Sequence, residues 1–172
     1  MNTSDTAPNT TAATPSEAHP RFAAALSELG LDVEVRSFPE ATRTAAEAAA
    51  AIGCDLAEIA KSLIFEADGV PVLVLMDGAS RVDVERVRIE LAAGKVRRAG
   101  AELVRETTGY AIGGVPPFGH RTRTRVLADR GLLEHDVVWA AAGTPHTVFP
   151  LDPETLIGHA GGTVVDVRER PA

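Results

Sequence analysis

The sequence predicts a mixed α/β fold, a single domain with helices flanking one curved sheet. Three observations lead there. Two apolar runs, SLIFEA and VPVLVLM, are separated by Asp68-Gly69, a dipeptide that favours positive φ and a tight antiparallel hairpin. Segments with helical spacing and cap residues alternate with further apolar runs, so helical crossovers mix with hairpins. Finally, 172 residues, 45% of them hydrophobic, suffice for one core and are too few for two comfortable ones.

The elements follow in order. Residues 1–18, MNTSDTAPNTTAATPSEA, hold one Met as the only large apolar side chain; such a stretch buries too little to offset its ordering entropy and reads as a disordered tail. The domain then runs over 19–168. In PRFAAALSELG, Phe22, Leu26 and Leu29 recur at helical spacing and Gly30 is the stop, while LDVEVRSF alternates like a strand. Thr44 and Glu47 form a capping-box pattern for a helix that Gly53 closes, and Asp55 with Glu58 repeats it more loosely. After the Asp68-Gly69 hairpin, Asp83 caps DVERVRIELAAG, and AELVRETTG is a further helix. YAIGG, RTRVLA, DVVWAAA and HTVFPL read as strands, Asp152-Pro153 opens a last helix, and TVVDV closes the sheet.

Composition excludes several classes. The net charge is −7, so a general nucleic-acid coat with a basic surface is ruled out and any nucleic acid must meet a local patch. No apolar run approaches the roughly 20 residues of a membrane helix, and no charged-then-apolar leader is visible. The single cysteine, Cys54, leaves no internal disulfide; a small buried hydrophobe in a reducing, cytoplasmic compartment fits it. Dinucleotide and phosphate-loop glycine motifs, a nucleophile elbow and zinc-type His/Cys spacing are all missing. No metal or cofactor is expected, leaving backbone donors, a lysine, a histidine and water as tools.

Four segments could carry chemistry, and each also has an ordinary reading. In GYAIGGVPPFGH, Gly113, Gly114 and Gly119 let a ligand approach the main chain while Pro116 and Pro117 hold it rigid, with Val115 and Phe118 as an apolar wall; the same composition suits a plain turn. In AAAGTPHTVF, Gly143 offers an open N–H, Thr144 a hydroxyl and His146 an imidazole, or the segment is a Gly-Thr-Pro turn. Lys61, one of only two lysines, sits in IAKSLIF where a strand begins; its ammonium either enters a cleft or reaches solvent along the strand end. Arg121, Arg123 and Arg125 alternate in HRTRTRV, making either a phosphate-binding stripe or a solvated strand face.

Together, IAKSLIF, TTGYAIGGVPP and AAGTPHTVF resemble the YbaK/EbsC family, free-standing relatives of the editing domain inserted in bacterial prolyl-tRNA synthetases. The similarity runs from about Pro20 to Val167, and RTAAEAAAAIG and RVDVERV share it. The resemblance implies a mixed sheet curled into a partial barrel, and a trans-acting aminoacyl-tRNA deacylase that hydrolyses the ester of mischarged tRNA, of the alanyl- or cysteinyl-tRNA(Pro) type. It places the family's Gly-x-x-x-Pro loop on Gly113–Pro117, its lysine on Lys61 and its late loop on Gly143, Thr144 and His146. Lys61 would bind the terminal phosphate or loop carbonyls, the Gly113–Pro117 and Gly143 backbone would hold the aminoacyl group and water, and His146 would orient the ribose or relay a proton. The partner implied is the 3′ acceptor end of mischarged tRNA, reached through Arg121 and Arg123 or through a partner synthetase. Many relatives have serine where Pro116 stands, so a hydroxyl and an N–H are lost there. A non-catalytic module that binds an amino acid or aminoacyl-tRNA beside a synthetase is the competing expectation.

Overall fold

The computed structural model describes residues 12–13, 18–39 and 44–171. Helix α1 (Pro20–Leu29) starts where the His19 side chain accepts a hydrogen bond from the Arg21 N–H and stops at Gly30, whose φ of 65° is the left-handed cap. Phe22 and Leu26 are buried, whereas Leu29 is exposed. Of the expected tail, residues 1–11 and 14–17 lie outside the described residues. Ala12–Ala13 form a short strand, β1, on the edge of β2 (Val35–Ser37). Edge pairing uses main-chain groups, so it needs none of the apolar side chains that this composition lacks.

Helix α2 (Ala45–Ile52) begins at Thr44, whose hydroxyl accepts from the Glu47 N–H, and ends at Gly53 with φ 84°. The looser Asp55/Glu58 pattern is a working cap: the Asp55 N–H donates to the Glu58 carboxylate at 2.9 Å, opening the short turn Leu56–Glu58. Strands β3 (Ala60–Ala67) and β4 (Val70–Asp77) pair antiparallel through eight residue pairs, closed by Asp68 (φ 50°) and Gly69 (φ 81°). The Asp68 carboxylate also accepts from the Gly94 and Lys95 N–H groups, tying the hairpin tip to the chain after helix α3 (Val84–Leu91).

Strand β5 (Val96–Arg98) pairs with β3; three residues rich in arginine carried no strand signal in the sequence. Helix α4 (Ala101–Thr108) follows. YAIGG after it is a turn rather than the expected strand, because positive φ at Gly109, just before it, and at Gly113 within it turns the chain instead of extending it. The arginine stripe is corrected for the same segment: regular strand β6 (Arg125–Asp129) begins only at Arg125. Arg121 and Thr122 instead hang from the end of α4 through main-chain bonds to Thr108 and Thr107. The three guanidinium groups are exposed but do not share one strand face.

Strands β7 (Val138–Ala141) and β8 (Thr147–Leu151) form a second hairpin, and α5 (Pro153–Ala160), capped by Asp152, leads into β9 (Gly162–Val165). The strands fall into two sheets, ordered β1-β2-β8-β7 and β5-β3-β4-β6-β9. In the second, β4-β6 and β6-β9 are parallel. A bridge between Ile59 and Trp139 joins the sheets where β3 starts and β7 passes, so the assembly curves like an open barrel without closing. The main core lies between the sheets. Phe22 and Phe149 stack at 5.0 Å there, and Phe118 completes the cluster at 5.5 and 6.0 Å. A smaller core of Phe65, Val74, Met76 and Val87 lies under α3.

Candidate functional site

The open side of this curve, where β3 and β7 diverge, is a cavity of about 240 Å3. At roughly 30 Å3 per liquid water, that is room for about eight waters, or for a small ester with part of a sugar. β3 contributes Ala60–Ile64, β7 contributes Trp139–Ala141, α2 contributes Ala45 and Ala48, and the two predicted loops contribute Gly113, Val115, Thr144 and Thr147. Lys61, Gly113, Val115 and Thr144, picked from three distant segments of sequence, therefore line one space.

The loops meet through glycine. A side chain on Gly114 would stand 2.9 Å from Thr144 Cα and 3.0 Å from the Gly143 carbonyl oxygen, so only glycine allows this approach. Gly143 has φ 96° and faces His19 and the Tyr110 ring, so it is confined both by conformation and by space. Thr144 and Thr147 hydroxyls bond each other at 2.7 Å, closing the second loop. Among the described residues, the N–H groups of Gly113, Val115 and Thr144 have no hydrogen-bond acceptor. Unpaired donors beside a cavity are what a polar ligand would satisfy.

Lys61 is half-buried, and its Nζ donates to the Ser80 carbonyl at 2.6 Å. The carbonyl it finds therefore belongs to the β4–α3 turn, which is fixed in turn by the buried Asp77 carboxylate accepting from the Ala79 N–H. Burial pulls the Lys61 ammonium below its usual pKa; the Asp77 charge opposes this, and Arg98 and Arg81 add to the lowering. Arg98, stacked over Phe65 at 5.5 Å to the ring centroid, also lines the cavity. Lys61 and Arg98 thus bring positive charge to the site in a chain of net charge −7. Ala45, Ala48, Ile59 and Trp139 add an apolar lining, with Arg36 lying over the Trp139 ring at 4.6 Å.

The remaining sequence candidates sit around this space. Gly114 and Gly143 form the loop contact behind it, and Pro116 and Pro117 are buried. Phe118 does not form an apolar wall of the site; it is a core residue against Phe22, Phe149 and His159, since a full ring gains most by complete burial. The exposed His146 shares the Thr144 turn through its N–H but is not a lining residue, and neither are Arg121 and Arg123. Sequence reading missed Ser62, Arg98, Ile112 and Trp139. Ser62 and Ile112 had a visible signal, their places beside Lys61 and Gly113. No group of three His, Cys, Asp or Glu side chains able to hold a metal occurs among the described residues, and no described helix is long and apolar enough to cross a membrane.

The chain matches the aminoacyl-tRNA editing domain family over residues 39–158. It is 34% identical over 124 residues to the uncharacterized protein YwhH of Bacillus subtilis (strain 168), covering 72% of this chain and 78% of that one. It is 30% identical over 101 residues to a proline--tRNA ligase of Lysinibacillus sphaericus (strain C3-41), covering 59% of this chain but only 18% of the ligase. A crystal structure of a candidate trans-editing enzyme for prolyl tRNA synthetase superposes with a TM-score of 0.82 at 40% identity, covering 87% of this chain and 96% of that one. The match spans most of the chain and includes β3 and both cavity loops: the protein belongs to the aminoacyl-tRNA editing domain family.

Proposed function

We propose that this chain is a free-standing deacylase that hydrolyses the ester of a mischarged tRNA. The observation that carries the reading is the convergence of Lys61, Arg98 and three acceptor-free N–H groups, from Gly113, Val115 and Thr144, on one cavity. An aminoacyl ester is activated before it arrives, so the site needs to bind it, admit water and stabilise the oxyanion. One aimed donor supplies on the order of 10²–10³ in rate. Lys61 and Arg98 would hold the phosphate of the terminal nucleotide, the loop N–H groups the ester oxygen, and the substrate's vicinal ribose hydroxyl would serve in proton transfer. Editing is needed because synthetase pockets separate amino acids differing by one methylene by only about 1–3 kcal/mol.

The test is a deacylation panel over mischarged tRNAs, with proline tRNA carrying alanine or cysteine as the first substrates. The expected result is multiple turnover on at least one. A second reading, a binding module without turnover, is favoured by one feature: among the described residues, the titratable side chains lining the cavity are Lys61 and Arg98, with no carboxylate or imidazole beside them as a base. Stoichiometric binding of charged tRNA with intact ester across the panel would establish that reading instead.

A further inference from the structure

The loop that carries Gly113 and Val115 does not hold itself. Between the Gly114 N–H, which donates to Ala111, and the Arg121 N–H, which donates to Thr108, no described main-chain group bonds another main-chain group. Prolines 116 and 117 lack N–H donors, so a ladder is unavailable. Two side chains take its place. His120 Nε2 lies 2.6 Å from the Pro116 carbonyl oxygen, and the Tyr110 hydroxyl donates to the Gly119 carbonyl at 2.8 Å. The Tyr110 ring meets the edge of His120 at 6.0 Å and of His19 at 4.8 Å. His19 in turn donates its N–H to Ala142 and abuts Gly143, in the second loop.

We propose that His120 is a positioning residue of the site, the outer end of a His120–Tyr110–His19 brace that pins the 113–119 loop against the 142–147 loop. His120 is not itself a lining residue and acts through the Pro116 carbonyl. Fixing that carbonyl fixes the peptide run behind it, and so the direction of the Gly113 and Val115 N–H groups. The bond requires a hydrogen on Nε2. Burial draws the imidazole below its usual pKa and the tyrosine above its own, which keeps a neutral ring and a phenol that still donates. The consequence for turnover rests on the deacylase reading; the brace itself does not.

The experiment therefore has two arms. In the wild-type protein, long-range 15N correlation spectra read the His120 tautomer: hydrogen on Nε2 is expected, and hydrogen on Nδ1 alone overturns the brace without any variant. In the second arm His120→Gln, whose Nε2 lies the same number of bonds from Cβ, is compared with His120→Met, which keeps length and loses the donor. Backbone 15N relaxation dispersion should show Gly113–Val115 quiet in wild type and H120Q but exchanging in H120M on the μs–ms scale. On a substrate the panel identifies, kcat should fall about 10- to 100-fold in H120M with KM within about threefold, and recover in H120Q. A quiet loop and wild-type kcat in H120M would overturn the proposal. A wild type inactive on every ester defeats the deacylase reading instead, with the dispersion data still deciding the brace.

Discussion

Replacing Gly114 with alanine tests whether the loop contact creates the site. The new Cβ would lie 2.9 Å from Thr144 Cα and 3.0 Å from both Thr144 C and the Gly143 oxygen. Carbon contacts become comfortable near 3.5 Å, so the loops must part by roughly 0.6 Å, and since every obstructing atom is backbone no rotamer can yield. Overpacking of this kind costs about 1–3 kcal/mol. For a domain of this size each kcal/mol moves Tm by about 2–4 °C, so Tm should drop by about 2–12 °C. A displacement of about 1 Å at reacting groups costs on the order of 100-fold, so this one should slow deacylation by about 10- to 100-fold. The assay is single-turnover ester release with a thermal melt on the same sample. Gly158→Ala is the control: it lies in helix α5 with nothing within 4 Å of its added methyl, and alanine there should stabilise by about 0.5–1 kcal/mol without changing release. A G114A protein that melts and turns over like wild type would show that the loop contact is not needed for the site.

Lys61→Met should lower single-turnover release by about 10²–10³ while Tm stays within a few degrees, because a half-buried ammonium is costly and its loss offsets the lost bond to Ser80; a large drop in Tm with release preserved would contradict both parts. Arg98→Ala should weaken tRNA binding and reduce the slope of log K against log salt by about 1 in filter-binding titrations, and an unchanged slope would remove Arg98 from phosphate contact. Burial, opposed by the Pro116 carbonyl bond, leaves the His120 pKa below 6.5, and burial with the Arg21 charge does the same to His19. An unfolded chain then binds these protons first, so the stability from the neutral rings is complete above about pH 6.5 and is lost as pH falls through the folded pKa values. Melts between pH 7.5 and 5 should show Tm falling with acid, less steeply in H120Q, and equal slopes for the two proteins would refute the assignment to His120.

Much of the fold was legible because local chemistry decides it. Thr44, Asp83 and Asp152 cap helices where their side chains predict, and Asp68-Gly69 turns the central hairpin. The mixed α/β class follows from such signals, and the resemblance carried by Lys61, Gly113–Pro117 and Gly143–His146 pointed to the editing domain family. YAIGG reads as a strand by composition, yet Gly113 within it takes positive φ, and the alternating arginines have no strand to stand on because α4 recruits Arg121 and Thr122 by main-chain bonds.

Sequence by itself determined the hairpin, the helix limits, the family and the lysine and loops that meet at the cavity. Only the tertiary structure decided which members of those loops reach it. It turned Phe118 inward to the aromatic core, left His146 on the outside of its turn, and brought in Arg98 from β5 and Trp139 from β7. The reason is that periodicity and turn chemistry act over a few residues, whereas the facing of a side chain depends on partners far off in sequence, as Phe118 does on Phe22 and Arg98 on Phe65. Lys61 and Thr144 are neighbours across the cavity only because the Ile59–Trp139 bridge joins two sheets, and nothing local in either segment encodes that junction.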